Sequence, residues 1–313
     1  MARAFVFPGQ GSQAVGMGQG LAEAFPVARH LFQEVDDALS QNLSRLMFEG
    51  PEDDLRLTEN AQPALMAVSL AVVRVLEQEA GLDLADAGDL VAGHSLGEYS
   101  ALAAVGAFEV AEAARLLKRR GQAMQEAVPV GEGAMAALLG LDIEAAAEIA
   151  AEAAQGEICT PANDNAPGQV VLSGQAAAVE RAIEIAAGKG ARKSVLLPVS
   201  APFHCALMAP AAEVMAQALE ETPPRPPRLP LVSNVTAEAV TEAETIRYLL
   251  VQQVTDMVRW RESVLFMKSR GIDSLVELGA GKVLTGLTRR IDRDLTGIAV
   301  GGPEDIDAFQ ASL

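Results

Sequence analysis

Two hydrophobic rhythms alternate along the chain. Short blocks of consecutive apolar or small residues are separated by longer stretches in which apolar residues return every three or four positions. The first rhythm is that of a strand buried on both faces, the second that of a helix with one face on a core. "RAFVFPG" reads as a short buried strand closed by Pro8 and Gly9. Residues 17–40 and 61–80 carry helical periodicity, "DLVAGHS" is a second buried strand, and residues 96–105 and 108–126 are helices. Strands alternating with helices predict an α/β fold around a mostly parallel sheet.

The order then changes. "GAMAALLGL" is strand-like, "IEAAAEIAAEAA" helical, and a short strand falls near "EICTPAN". "QVVLSG" is a strand, "QAAAVERAIEIAAGKG" a helix ending in glycine, and "KSVLLPV" a strand. This β-α-β-β-α-β order is the split unit of ferredoxin-like folds. Residues 128–199 therefore read as a small domain inserted into a larger one made of residues 1–127 and 200–313. Helix 208–221, strand "LPLVSNV", helical segments over 243–270, strand "DSLVELG", helix 282–292 and strand "TGIAVGG" return the chain to the large sheet. The proline-rich "ETPPRPPRLP" predicts a stiff, exposed connection.

Composition narrows the function. The 313 residues suffice for a sizeable core, and half of them are apolar. A net charge of −18 argues against nucleic acid as a partner, though not against an anionic small molecule held by a few placed cations. The two cysteines, Cys159 and Cys205, have no metal-site or disulfide spacing. The N-terminus is broken too early by Pro8 to be a signal peptide, and the apolar window "ALMAVSLAVV" is interrupted by Arg74, so no membrane span is expected. A reducing cytoplasm is the simplest compartment.

Chemistry centres on "GHSLG", residues 93–97. A strand running into Gly-x-Ser-x-Gly and then a helix is the context of a nucleophile elbow. It lifts Ser95 above the sheet and turns the N–H of Leu96 toward a developing oxyanion. A serine that caps an ordinary helix would share part of this pattern. As a nucleophile Ser95 needs a base. Of the three histidines, His30 lies within a helix. His94 neighbours Ser95, and adjacent side chains diverge at an elbow. His204, in "PVSAPFHCALMAP", remains as the base. No acidic residue nominates itself to orient the imidazole, a task that a backbone carbonyl can perform. In "AEAARLLKRRGQAM", Arg120 falls on the apolar face with Ala113, Leu116, Leu117 and Met124, whereas Arg119 lies with Arg115 and Glu112 on the polar side. A buried guanidinium requires either an internal carboxylate or a substrate carboxylate.

These blocks, together with "FVFPGQGSQAVGMG", "QPALMAVSLA", "NDNAPGQVVLSG" and "ELGAGKVLTGLTRRI", resemble the malonyl-CoA:acyl carrier protein transacylases over nearly the whole chain. The resemblance implies an α/β-hydrolase-like large domain with a ferredoxin-like insert and the active site between them. It implies Ser95 as nucleophile, His204 as base and Arg120 as the holder of a malonyl carboxylate. It further implies that the N–H of Gln10 completes an oxyanion hole with that of Leu96. The carbonyl of Gln253 would orient His204, with Gln252 the alternative in register. Phe203 would narrow the pocket beside the malonyl α-carbon, or else simply pack.

The implied substrates are malonyl-CoA and the phosphopantetheine thiol of acyl carrier protein, without metal or redox cofactor, in the service of fatty acid synthesis. An acidic carrier meeting an acidic chain needs a local basic patch. Lys189, Arg192 and Lys193, with Arg289 and Arg290, are its candidates. The competing readings are a serine thioesterase or esterase, a discrete polyketide loading enzyme, and a carrier-binding module with an idle site.

Overall fold

A computed structural model describes residues 2–199 and 201–312. Its strands are β1 (Arg3–Phe7), β2 (Leu90–Gly93), β3 (Gly133–Leu139), β4 (Cys159–Ala166), β5 (Gln169–Gln175), β6 (Lys193–Leu196), β7 (Leu231–Val232), β8 (Ala239–Val240), β9 (Ser274–Leu278) and β10 (Thr296–Val300). The larger sheet runs β10-β9-β1-β2-β7-β8, and every neighbouring pair is parallel except β7 with β8. β1 sits in its middle, and its apolar run serves two cores. Phe5 and Phe7 face one layer with helix Thr58–Ala80, while Ala4 and Val6 face the other with Trp260, Val264 and Leu287. Burial on both faces removes any polar alternation from the strand.

The smaller sheet runs β4-β5-β3-β6 and is antiparallel throughout, the ferredoxin-like arrangement. Helices Ile143–Ala154 and Ala176–Gly188 pack on one of its faces. The other face brings Met135 and Val171 into the core of the large unit. The fold class is thus α/β, a mostly parallel sheet with a small antiparallel one. The domain boundary proposed at residues 127–128 lies shortly before β3, and the one at residue 200 falls outside the described residues.

Several elements differ from the sequence pattern. The helix expected over 17–40 is two, Gln19–Ala24 and Pro26–Leu39, because Phe25 is extended before a proline. The helical stretch 243–270 is likewise broken, into Ala243–Gln252 and Trp260–Ser269. The break places Gln253 at a helix C-terminus, where its carbonyl is free to leave the helix ladder. The proline-rich connection is less exposed than expected. Pro224 and Leu229 are buried, and the N–H groups of Arg225 and Arg228 donate to Ala107 and Val105.

Candidate active site

β2 delivers Ser95 to the top of the large sheet. Ser95 has a φ of 53°, in the left-handed region that a side chain adopts only where its surroundings fix it. Two glycines make the turn possible. A Cβ on Gly93 would lie 1.9 Å from the carbonyl carbon of Gly97, and one on Gly97 would lie 2.3 Å from the carbonyl oxygen of Phe7. The strained turn is pinned from both sides. The Ser95 N–H donates to Oδ1 of Asn234 at 2.8 Å, and the Ser95 carbonyl accepts from Nε2 of Gln253 at 2.9 Å.

His204 follows the insert in the chain and meets Ser95 with Nε2 2.8 Å from Oγ. Its own φ of 58° is also left-handed. Nδ1 lies 2.8 Å from the main-chain carbonyl of Gln253. A carbonyl only accepts, so Nδ1 carries the proton and Nε2 presents a lone pair to the serine hydroxyl. Burial, reinforced by the charge of Arg120, depresses the imidazole to about 3, against the pull of the Gln253 hydrogen bond. A neutral base in contact with a hydroxyl can activate it for attack.

Arg120 is 1% exposed. Close approach of its helix, Val110–Glu126, to helix Thr58–Ala80 depends on Gly121, where a Cβ would lie 2.5 Å from Cα of Glu59. The guanidinium makes no ion pair among the described residues. Nη1 donates to Oε1 of Gln62 at 2.9 Å, and Nη2 to Oε1 of Gln253 at 2.8 Å and to Oγ of Ser95 at 3.1 Å. Nε has no partner. The Tyr99 ring lies below, its centroid 5.8 Å from Cζ. Of the two partners that the sequence allowed this arginine, an internal carboxylate is absent from its contacts.

These groups line one cavity of about 380 Å³ between the two units, together with Gln10, Phe203, Met124, Met135 and Asn163. The N–H groups of Gln10 and Leu96 have no acceptor among the described residues. Phe203 is buried against the core. His94 turns away from the serine, with Nε2 2.8 Å from Oδ1 of Asn165, and His30 is exposed on its helix. Gln252 points elsewhere, donating to the Tyr248 hydroxyl.

Sequence reasoning missed Gln62, Glu98, Asn165 and Asn234. Glu98 and Asn234 are buried, and burial pushes the Glu98 carboxyl up to about 8 against its hydrogen bonds and the charge of Arg120. Of the basic residues, Arg192, Lys193, Arg289 and Arg290 are exposed, but Lys189 is paired with Glu152 at 2.6 Å. Among the described residues no cluster of His, Cys, Asp and Glu could hold a metal ion, and no helix is long and apolar enough to cross a membrane.

Residues 4–294 match the acyl transferase domain family. The chain is 46% identical over 305 residues to the malonyl CoA-acyl carrier protein transacylase of Escherichia coli (strain K12), covering 97% of each protein. It superimposes on the crystal structure of an acyl-carrier-protein-S-malonyltransferase from Bartonella henselae with a TM-score of 0.97 at 55% identity, over 100% of this chain and 99% of that one. A type II polyketide acyl-carrier protein in complex with its malonyl-transacylase matches with a TM-score of 0.97 at 45% identity, over the full length of both chains.

Proposed function

We propose that this chain, which belongs to the acyl transferase domain family, moves a malonyl group from malonyl-CoA to the phosphopantetheine thiol of acyl carrier protein through a malonyl-serine on Ser95. The observation that carries the choice of acyl group is Arg120. A buried cation without an internal carboxylate is costly, and a substrate carboxylate in the same cavity removes that cost. One N–H of Nη1 is uncommitted among the described residues, and the Nη2 N–H on Ser95 Oγ is released when that oxygen becomes an ester. Together they form the fork that binds a carboxylate bidentately. An acetyl donor leaves this fork unmatched and is discriminated against.

His204 takes the proton of Ser95 as Oγ attacks the thioester carbonyl. The N–H groups of Gln10 and Leu96 hold the oxyanion, a contribution on the order of 3 kcal/mol per donor. The C–S bond then breaks, and His204 returns the proton to the departing CoA thiolate. In the second half the carrier thiol gives its proton to His204 and attacks the malonyl ester, and Ser95 recovers the proton on release. The Gln253 carbonyl keeps the imidazole in the working tautomer and supports the imidazolium, the task an acid performs in the commoner triad. Phe203 limits the room beside the malonyl α-carbon.

The carrier approaches over Arg192, Lys193, Arg289 and Arg290, with Lys189 a weaker contributor because Glu152 already neutralises it. The two groups adjoin one turn of the small unit. Arg192 lies beside Gly140, which donates to Gly168, and Arg290 donates to Gln169 at 2.7 Å. We assign the protein to the cytoplasm, where Cys159 and Cys205, buried and unpaired, stay reduced. Supply of fatty acid synthesis is the primary reading. The likeness to the malonyl-transacylase of a type II polyketide carrier, with the same TM-score at lower identity, makes a discrete polyketide loading role the second.

Intact-protein mass spectrometry after brief mixing with malonyl-CoA or acetyl-CoA tests the proposal. A malonyl-sized adduct is expected on the wild type and not on Ser95→Ala, with acetyl gaining on malonyl in Arg120→Ala. Free malonate accumulating in the presence of carrier, without carrier loading, would identify a thioesterase instead. Supplying fatty-acid and polyketide carriers side by side distinguishes the pathways by their rates of loading.

A further inference from the structure

One buried side chain joins the site's separate parts. Gln253 touches Arg120 with Oε1, the Ser95 carbonyl with Nε2, and His204 with its main-chain oxygen. An amide has chemically opposite ends, and this one works only one way round. Turned over, it would set an NH2 group against the Nη2 donors of Arg120 and an oxygen against the Ser95 carbonyl. Arg120 and Ser95 are not the only groups that face it. Glu98, in the first turn of the helix Gly97–Ala104 that follows Ser95, accepts from Nε2 of Gln253 with Oε2 and from the N–H of Asn234 with Oε1. Asn234 in turn accepts the Ser95 N–H and donates with Nδ2 to the Gly93 carbonyl at 2.7 Å. Glu98, Asn234 and Gln253 are all at most 1% exposed.

We infer that Glu98 is a positioning residue for donor selection: its carboxyl fixes the direction of the Gln253 amide and so keeps an oxygen, not a competing charge, behind Arg120. Oε1 of Glu98 is taken by the Asn234 N–H, and in the ionised form Oε2 has only lone pairs to offer, so the amide nitrogen of Gln253 is the end that points at it. Arg120 is then steadied by a neutral oxygen. Its remaining N–H groups stay available to a substrate carboxylate, which an acid in the place of Gln253 would displace. Glu98 touches neither substrate nor the reacting atoms and acts through Gln253. The inference rests on the malonyl-transfer reading.

Glu98→Gln is the informative variant. Asn234 takes the new amide's oxygen, its NH2 then faces Nε2 of Gln253, and Gln253 must turn over. The expected result is a fall of at least about tenfold in kcat/KM for acylation by malonyl-CoA, with acetyl-CoA changed by less than about threefold, read by stopped-flow mass spectrometry. The double variant Glu98→Gln with Gln253→Glu matches the new amide's NH2 with a carboxylate oxygen, leaves the Ser95 carbonyl without its donor, and sets a carboxylate on Arg120. It should fold and still prefer acetyl relative to the wild type, with the loss appearing in KM for malonyl-CoA. Parallel falls for both donors in Glu98→Gln, or no change in either, would overturn the inference. So would a double variant that keeps the wild-type malonyl preference, and this arm decides the matter if the single variant does not fold. A wild type that forms no malonyl adduct would instead sink the transfer reading itself.

Discussion

At the scale of single residues, burial sets the range over which His204, the proposed base, stays neutral. An exposed histidine titrates near 6.5, and His204 at about 3 stays neutral far below that. The rate of Ser95 acylation is therefore expected to show no limb near 6.5 that can be assigned to this base, a result that a pH series of single-turnover measurements would check. The same shift acts on stability. The unfolded chain binds a proton at this position below about 6.5 and the folded one does not until about 3, so stability falls as pH drops through that window. His94, also lowered by burial, adds in the same direction. The urea midpoint should drop less between about pH 7 and about pH 5 in His204→Gln than in the wild type. The meeting of Ser95 and His204 was legible because one stands in a local motif and the other was left by elimination among three histidines. Glu98 and Asn234 were not, because each finds its partner more than a hundred residues away, where spacing carries no information.

At the scale of elements, the elbow depends on β2 and the helix Gly97–Ala104 approaching closer than any side chain allows. Gly93→Ala drives a Cβ into backbone, which cannot step aside as a side-chain tip can. A loss of more than about 3 kcal/mol is expected, seen as a collapse of the urea midpoint or as insoluble protein. Gly16→Ala makes the contrast, since no atom lies within 4 Å of its Cβ position and only its positive φ resists, which limits the cost to about 1–2 kcal/mol. The long apolar helices and buried strands were readable from periodicity. The divisions at Phe25 and after Gln252 were not, because continuous periodicity on either side conceals a single non-helical residue or a short turn. The second division matters most, for it frees the Gln253 carbonyl that His204 uses.

At the scale of the whole molecule, the order of strands and helices in the insert announced a ferredoxin-like unit, but nothing in it told how the unit is fastened. Besides the packing of Met135 and Val171, three contacts contribute along β4 and its irregular register. Asn163 bridges to Val258, Asn165 meets His94, and the buried Asp164 pairs with Arg261 at 2.8 Å. Arg261→Ala strands the Asp164 carboxylate, which burial already pushes above the ordinary aspartate value. A cost of about 1–3 kcal/mol is expected, together with faster amide exchange confined to β4 and its neighbours in hydrogen-exchange mass spectrometry. The charge of the molecule has its own consequence. With −18 overall, attraction to an acidic carrier needs a local basic patch, and Arg192, Lys193, Arg289 and Arg290 are the proposed one. Changing Arg192 and Arg290 together to Glu should slow carrier loading at least about tenfold and leave acylation by malonyl-CoA within about twofold, which separate assays of the two half-reactions would resolve.

The unpaired guanidinium also makes the resting protein a gauge of its surroundings. A small carboxylate that reaches Arg120 binds the folded chain and not the unfolded one. At a hundred times its dissociation constant it adds about 2.7 kcal/mol to the free energy of unfolding. Melting temperature in a panel of buffers then ranks mono- and dicarboxylates by how well they fill the space in front of Arg120. Malonate should stand above acetate, and Arg120→Ala should flatten the ranking. A thermal scan without coenzyme A or carrier would thus record the preference that catalysis later expresses.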